Sequence, residues 1–418
     1  MKLVRAATAV RWRAFDRAAS DPRAAQELVL RRITRRNASS EFGRKHGFDR
    51  IDSITAWRDA VPLADYETFA PAIERIRGGE QGILTRDRVT FFGQSSGTTG
   101  RPKFIPITDR FVAEVQRSRE LLVRPALEHL PGILCGSALG VSSSRIVGWT
   151  EGGIPYGSVT ARYDRKGWTD RFQMIPFEVY ALEDFEAKYY LTLRLALESE
   201  LSVVSTVNPS TVMLLAQKLD VHADRLIADL RRGTVDPALP LLPAVRFEAE
   251  QRIKGPRPKV ARRLEAIRRT NGFLRWVEVW PKMAAIFCWK AGAASFYLRQ
   301  FPKHFGPTPV FDLGFAATEG IFSAPLHPDR DDGVLTVDGH FMEFIPEGRR
   351  DEPTPPCLDA SELEAGGRYY IVITTSGGLY RYDLNDVIEV TDFYKRAPMV
   401  RFLHKGGGIV SITGEKLA

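Results

Sequence analysis

Apolar positions over residues 1 to 75 recur at helical spacing. Leu28, Val29, Ile33 and Phe42 mark one series, and Ile73-Glu74-Arg75-Ile76 closes the region, so the spacing predicts helices there. Strand-like runs then alternate with helical ones. Val89-Thr90-Phe91-Phe92 reads as a strand, and Phe185, Tyr189, Leu193 and Ala196 make one apolar helical stripe. Leu201 to Thr206 is a buried-strand candidate. Asn208-Pro209 reads as an N-cap followed by an N1 proline, opening a helix through Leu219. Further strands are predicted at Ala284 to Trp289, Val310 to Leu313, Tyr369 to Thr374 and Val387 to Val390. The alternation predicts an α/β architecture with largely parallel sheets. The proline- and acid-rich stretch from Asp351 to Glu364 is predicted to be an exposed loop, and no internal repeat is present.

Composition narrows the class. A chain of 418 residues with 44% apolar content has enough for a large soluble core in two or three domains, or in one large domain with subdomains. Cys135, Cys288 and Cys357 are too few and too scattered for a disulfide framework or a zinc cage, which points to a reducing cytoplasm. The apolar run Ala6 to Val10 is too short for a signal segment, and no stretch approaches a membrane span, so no membrane role is expected. The net charge of +8 and pI near 9.4 suit an anionic ligand. The densest basic stretch, from Arg252 to Arg269, has the spacing of a solvated helix, and no nucleic-acid motif accompanies it, so no nucleic-acid partner is expected.

The chemistry concentrates at residues 93 to 103, Gly-Gln-Ser-Ser-Gly-Thr-Thr-Gly-Arg-Pro-Lys. Glycines let backbone N–H groups approach phosphate oxygens, hydroxyls add donors without bulk, and Lys103 supplies a mobile positive charge. The run follows a predicted strand, at the end where open α/β sheets hold ligands. A Walker-type spacing fails, because Arg101 rather than lysine follows Gly100. Gly93-Gln94-Ser95-Ser96-Gly97 formally matches a nucleophile elbow with Ser95 as nucleophile, Asp312 or Asp338 and His340 or His404 being available downstream. That motif needs a helix directly after the turn, where Gly100 and Pro102 stand. A third reading beside these is the Ser/Thr/Gly loop of adenylate-forming enzymes, where the Pro102-Lys103 ending is expected.

Ser95-Ser96-Gly97-Thr98-Thr99-Gly100-Arg101-Pro102-Lys103 resembles the phosphate loop of acyl-CoA synthetases, peptide-synthetase adenylation domains and luciferases. Other segments resemble one branch of that superfamily, the Gretchen Hagen family of acyl acid amido synthetases. These are Phe104-Ile105-Pro106-Ile107-Thr108, Thr150-Glu151-Gly152-Gly153-Ile154-Pro155-Tyr156-Gly157, Gly314-Phe315-Ala316-Ala317-Thr318-Glu319-Gly320 and Gly378-Leu379-Tyr380-Arg381-Tyr382-Asp383-Leu384-Asn385-Asp386-Val387. The N-terminal Val61-Pro62-Leu63-Ala64-Asp65-Tyr66-Glu67 also fits, and Ser411-Ile412 with Glu415-Lys416 resembles the family's hinge. Three departures stand out: Phe315 replaces a tyrosine, Ala316 and Ala317 replace small or hydroxylated residues, and Asn385 replaces the glycine before Asp386. Asparagine tolerates a positive φ, so that turn is expected to survive.

The resemblance implies the large N-terminal domain of an adenylate-forming enzyme over residues 1–402. It would have two β-sheets flanked by helices and a smaller β-barrel-like subdomain, with 403–418 as the hinge toward a small C-terminal domain. It implies ATP and Mg²⁺, a carboxylic acid activated as acyl-adenylate, and transfer to an amino acid or other amine. A CoA or carrier-protein ligase and a non-catalytic nucleotide-binding protein stay open beside it. The implied roles are specific. Ser95, Ser96, Gly97, Thr98, Thr99, Gly100 and Lys103 would hold the β- and γ-phosphates. Thr318 would meet a phosphate oxygen, Glu319 the metal, and Asp386 the ribose. Gly292, Ala293, Gly314, Phe315 and Ala316 would flank adenine. Thr150, Gly153, Ile154, Tyr156, Val207 and Arg117 would lie toward the acid, and Lys405 and Lys416 on the hinge would reach the nucleotide in one state. The lesser alternatives by residue type are an ordinary polar turn for the loop, a helix or turn cap for Asp386, plain core for Phe315 and a tail for the two lysines.

Overall fold

The computed structural model describes residues 2–95, 102–141, 146–159 and 174–406. The chain divides into two units. One comprises residues 1–126, 146–163 and 313–418, the other 127–145 and 164–312.

The first unit opens with the predicted helices, Lys2–Ser20, Pro22–Asn37, Glu41–Lys45, Ile54–Ala60 and Tyr66–Arg77. Polar residues start them: Asp21, Ser40, Ser53 and Asp65 each accept a hydrogen bond from the backbone N–H three residues on. Leu28 departs from the expected stripe, lying exposed while Val29 and Ile33 are buried. Strand β1, Val89–Ser95, turns back into β2, Lys103–Thr108, as an antiparallel hairpin. Pro155–Gly157 adds parallel to β1, and Gly148–Trp149 closes the edge of this sheet. A second sheet of six strands is antiparallel throughout, centred on Arg368–Thr374, Tyr382–Tyr394 and Ala397–Lys405. The helices and sheets share one apolar core, including Phe48, Trp57, Phe92, Phe111, Ile373 and Tyr380.

The second unit carries a four-stranded, wholly parallel sheet of Ser137–Gly140, Leu201–Ser205, Ala285–Phe287 and Val310–Phe311. Asn208 caps the Pro209–Val221 helix through its side chain, as the Asn-Pro step predicted. The Phe185–Ala196 helix differs from its predicted stripe. Residues 187–196 are buried on all sides, whereas Phe185 at its start is 70% exposed. Paired and tucked-in polar groups make this possible: Lys188 donates to the Tyr180 carbonyl, and Arg194 pairs with Glu198 at 2.6 Å. On the basic helix, Pro258–Asn271, Arg268 pairs with Asp224, and Glu265 takes Arg231 from the Ala223–Arg232 helix.

Among the described residues the one wholly parallel sheet is therefore in the second unit, and the expectation of largely parallel sheets fails in the first. The six-stranded sheet of the first is built from hairpins, such as the two-residue turn Lys395-Arg396, where Lys395 sits at φ 56°. Short turns force antiparallel neighbours, because a parallel return needs a crossover. Val387 to Val390 is the middle of a strand of 13 residues. The 351–364 loop is exposed at its start but buries Asp359, Ala360 and Leu363. No helix among the described residues is long and apolar enough to cross a membrane.

Candidate active site

The phosphate-loop strand becomes half of a hairpin. Ser95 is the register partner of Lys103, and Gly93 of Ile105. Side chains alternate along a strand, so Gly93, Ser95, Lys103 and Ile105 share one face. This disposes of the nucleophile elbow, which requires a helix where β2 begins. Residues 96–101, including Ser96, Gly97, Thr98, Thr99 and Gly100, lie outside the described residues, as does Lys416.

That face meets the Thr318-Glu319 turn. Ala317 pairs with Gly320, leaving Thr318 and Glu319 as the two-residue connection. A Cβ at position 93 would stand 2.7 Å from Thr318 Cγ2, so only glycine lets β1 approach the turn this closely. Glu319 is only 7% exposed. Burial pushes its carboxyl above the ordinary range; Asp386 pushes the same way, while Lys405 and Lys103 pull back. Asp386, 4% exposed, accepts from Lys405 Nζ at 2.5 Å through its carboxylate. Its carboxyl is also held above the usual range, because burial outweighs the Lys405 contact. Two buried carboxylates and two ammonium groups thus act on one another at the ends of three strands. Tyr382 joins them, its phenol pushed up by burial and by Glu319, Tyr66 and Asp386 among its neighbours.

Tyr66 was present in a quoted motif but carried no predicted role. Its hydroxyl accepts from the Phe104 N–H at 2.9 Å, and its ring lies 5.3 Å from Lys103 Nζ. Lys103 has no ion-pair partner among the described residues, so this ring is what steadies it. Removing the ring with Tyr66→Leu is expected to raise the apparent KM for ATP about 5- to 30-fold, the scale of a partly desolvated cation–π contact. Tyr66→Phe keeps the ring and should cost only a few-fold. Steady-state kinetics over an ATP series would separate the two, and equal effects would mean that the hydroxyl rather than the ring matters.

The other predicted residues fall in several places. Gly314 at φ 82° packs on the Ser323 carbonyl, where a Cβ would stand 2.4 Å away. Phe315 is buried in the core, stacked on Phe402 at 5.7 Å, and Ala316 pairs with Ile321. Thr150 spends its hydroxyl on the Ile154 N–H, closing a turn in which Gly153 sits at φ 74°. Gly152 is there because a Cβ would strike Gly79 N at 2.4 Å. Ile154 is core, and Tyr156 packs edge-on against Phe104 at 5.2 Å, the residue next to Lys103 and so on the opposite sheet face. Arg117 is exposed on the Asp109–Arg119 helix. Val207, Gly292 and Ala293 belong to the second unit, Val207 just past a parallel strand and Gly292 at φ 62°.

No group of three or more His, Cys, Asp or Glu side chains among the described residues is arranged to hold a metal ion. Glu319 offers a single carboxylate. That donor set suits Mg²⁺ arriving with phosphate oxygens, since the ion is ordinarily held by one or two carboxylates plus a nucleotide.

Comparison with known proteins adds a separate line. Residues 11–310 match the GH3 family N-terminal domain, and residues 333–405 the GH3 family central domain. The chain is 28% identical to the probable indole-3-acetic acid-amido synthetase GH3.2 of Oryza sativa subsp. japonica, over 94% of this chain and 67% of that protein. It is 24% identical to the jasmonoyl–L-amino acid synthetase JAR4 of Nicotiana attenuata, over 96% of this chain and 72% of that one. In three dimensions it is similar to the AtGH3.15 acyl acid amido synthetase solved with 2,4-DB. The TM-score is 0.86 at 21% identity, covering 98% of this chain and 72% of that one. A 2-hydroxyisobutyryl-CoA ligase shares the fold more distantly, with a TM-score of 0.50 at 12% identity.

Proposed function

The chain belongs to the GH3 family, and on that footing we propose that it is an ATP-dependent acyl acid amido synthetase. An oxygen of a carboxylic acid attacks the α-phosphorus of ATP, and pyrophosphate leaves. The nitrogen of an amino acid or other amine then attacks the acyl carbon, and AMP leaves with the bonding pair. Adenylation is needed because oxide is a poor leaving group from a carboxylate. The curated relatives carry this activity in their names, and they favour an amine over CoA as acceptor.

The observation that carries the site assignment is the meeting of the Lys103 face of the hairpin with the Thr318-Glu319 turn, within electrostatic reach of Asp386. Lys103, Ser95 and the run after it neutralise the β- and γ-phosphates. Thr318 donates to a phosphate oxygen. Glu319 holds Mg²⁺, which when bound supplies positive charge against the phosphoryl oxygens. Asp386 accepts from ribose hydroxyls, which a buried carboxylate does well once its counter-charge moves aside. Gly314 and Ala316 leave room beside the base, and Phe315 shapes that wall from the core. Gly292 and Ala293 are assigned to adenine on the family resemblance. On the same ground Thr150, Gly153, Ile154, Tyr156, Val207 and Arg117 are assigned to the acid side, and Lys405 and Lys416 to a hinge over 403–418. Three free cysteines suit a reducing cytoplasm.

The test is acid-dependent ATP–pyrophosphate exchange over a panel of aromatic and aliphatic acids, with Lys103→Ala alongside. The variant is expected to lose about 10²-fold, as when one preorganised charge-stabilising donor is removed. Exchange that survives the change intact would sink the phosphate-loop assignment. Offering CoA in place of the amine decides between the two ligase classes.

A further inference from the structure

Asn385 stands where the family motif has glycine, and its side chain does something a glycine cannot. The residue adopts φ 58°, so the glycine-like turn is kept. Its backbone N–H donates to Asp383 Oδ1 at 2.7 Å, and its side-chain Nδ2 donates across to the carbonyl oxygen of Gly406 at 3.2 Å. Gly406 is the residue directly after the Ala397–Lys405 strand. It has to be glycine: a Cβ there would stand 2.3 Å from Asn385 Oδ1 and 2.6 Å from the Tyr370 ring. One residue back, Lys405 is the register partner of Asp386 and donates to its carboxylate. The pair Asn385-Asp386 is therefore fastened to the pair Lys405-Gly406 by two adjacent side-chain contacts, one neutral and one ionic, at the point where the ladder ends.

We propose that Asn385 is a positioning residue, a latch whose amide holds the Lys405–Gly406 step against the neighbouring strand and keeps the Lys405 ammonium on Asp386 until a ribose claims that carboxylate. The latch rests on the reading of Asp386 as ribose ligand only for its final clause. In the nucleotide-free protein Lys405 is the counter-ion that makes a buried carboxylate tolerable. A sugar hydroxyl donating to Asp386 competes with that ammonium, and displacing it removes the ionic member of the two adjacent side-chain contacts, leaving the Asn385 amide beside the end of the ladder. Ribose occupancy and release of residue 405 onward are thereby linked, and part of the binding free energy of the nucleotide is spent on opening the latch.

Asn385→Gly and Asn385→Asp both tolerate the positive φ, and both remove the amide donor, so a role confined to turn geometry predicts that neither changes anything. The latch predicts that both speed tryptic cleavage of the Lys405–Gly406 bond, followed by intact mass. One lost hydrogen bond changes the open population by about 2- to 13-fold, which proteolysis tracks when closing is fast. Asn385→Gly, which adds no charge, should bind AMP several-fold more tightly by calorimetry, because the amide's share of the opening cost is gone. Wild-type cleavage rates in both variants would overturn the latch. Faster cleavage in both, with AMP bound by none of the proteins, would uphold the latch and remove Asp386 from the ribose.

Discussion

Glu319→Gln is expected to lower acyl-adenylate formation by about 10²- to 10³-fold, the scale of losing one preorganised electrostatic stabiliser in a water-poor site. The substitution keeps shape and hydrogen-bonding capacity but deletes the charge that would hold Mg²⁺ at the polyphosphate. Because the turn is short and its neighbour Thr318 lies tight against Gly93, no other carboxylate in the turn can substitute. Pyrophosphate exchange at saturating ATP measures the effect, and an unchanged rate would remove Glu319 from the metal. The parent protein offers a second readout. Burial first, then Asp386, raises the Glu319 carboxyl, while Lys405 and Lys103 lower it. The active form is the carboxylate, so activity is present above the raised pKa and is lost as pH falls through it. At subsaturating MgATP, where the free protein's ionisation governs, the acid limb of the exchange profile should therefore lie above the ordinary carboxylate range.

The second large effect is on stability. Arg381→Met is expected to destabilise the first unit by about 3 kcal/mol, the low end of the cost of breaking a buried ion pair, because Arg58 stays on Glu343. Arg381 donates to Glu343 Oε2 at 3.0 Å and to the Val61 carbonyl at 2.8 Å, and Glu343 Oε1 accepts from Arg58 at 2.9 Å. Glu343 is fully buried. Arg381→Lys should recover only part of the loss, since an ammonium cannot reproduce the planar fork that reaches a carboxylate and two backbone carbonyls together. Urea unfolding followed by tryptophan fluorescence checks this, Trp57 being buried in the same core. A midpoint close to the parent's would mean that water replaces the guanidinium.

Local signals survived the comparison between sequence and structure, and distant pairings did not. Asn208-Pro209 opened its helix, β1 appeared where Val89 to Phe92 predicted, and Asn385 kept the positive φ its substitution for glycine required. Each depends on neighbours in the chain. The antiparallel sheet of the first unit depends on which strand returns beside which, and hydrophobic patterning does not encode that. Arg58, Glu343 and Arg381 are likewise joined across 285 and 38 residues. At the site, the motifs marked Lys103, Glu319 and Asp386. They were silent on Tyr66, because a ring beneath an ammonium leaves no spacing in the sequence. They were equally silent on why Gly152 is a glycine, since Gly79 comes from a helix end more than 70 positions away.

The bare backbone of Gly93 against Thr318 has a bearing on how this scaffold could be retuned. The Thr318 methyl rests 2.7 Å from where a Cβ of residue 93 would stand, so strand and turn translate any push directly into each other. On the proposed assignment of Lys103 and Thr318 to phosphate, enlarging the space here would disturb nucleotide placement. Changes meant to alter acid choice alone belong away from this seam.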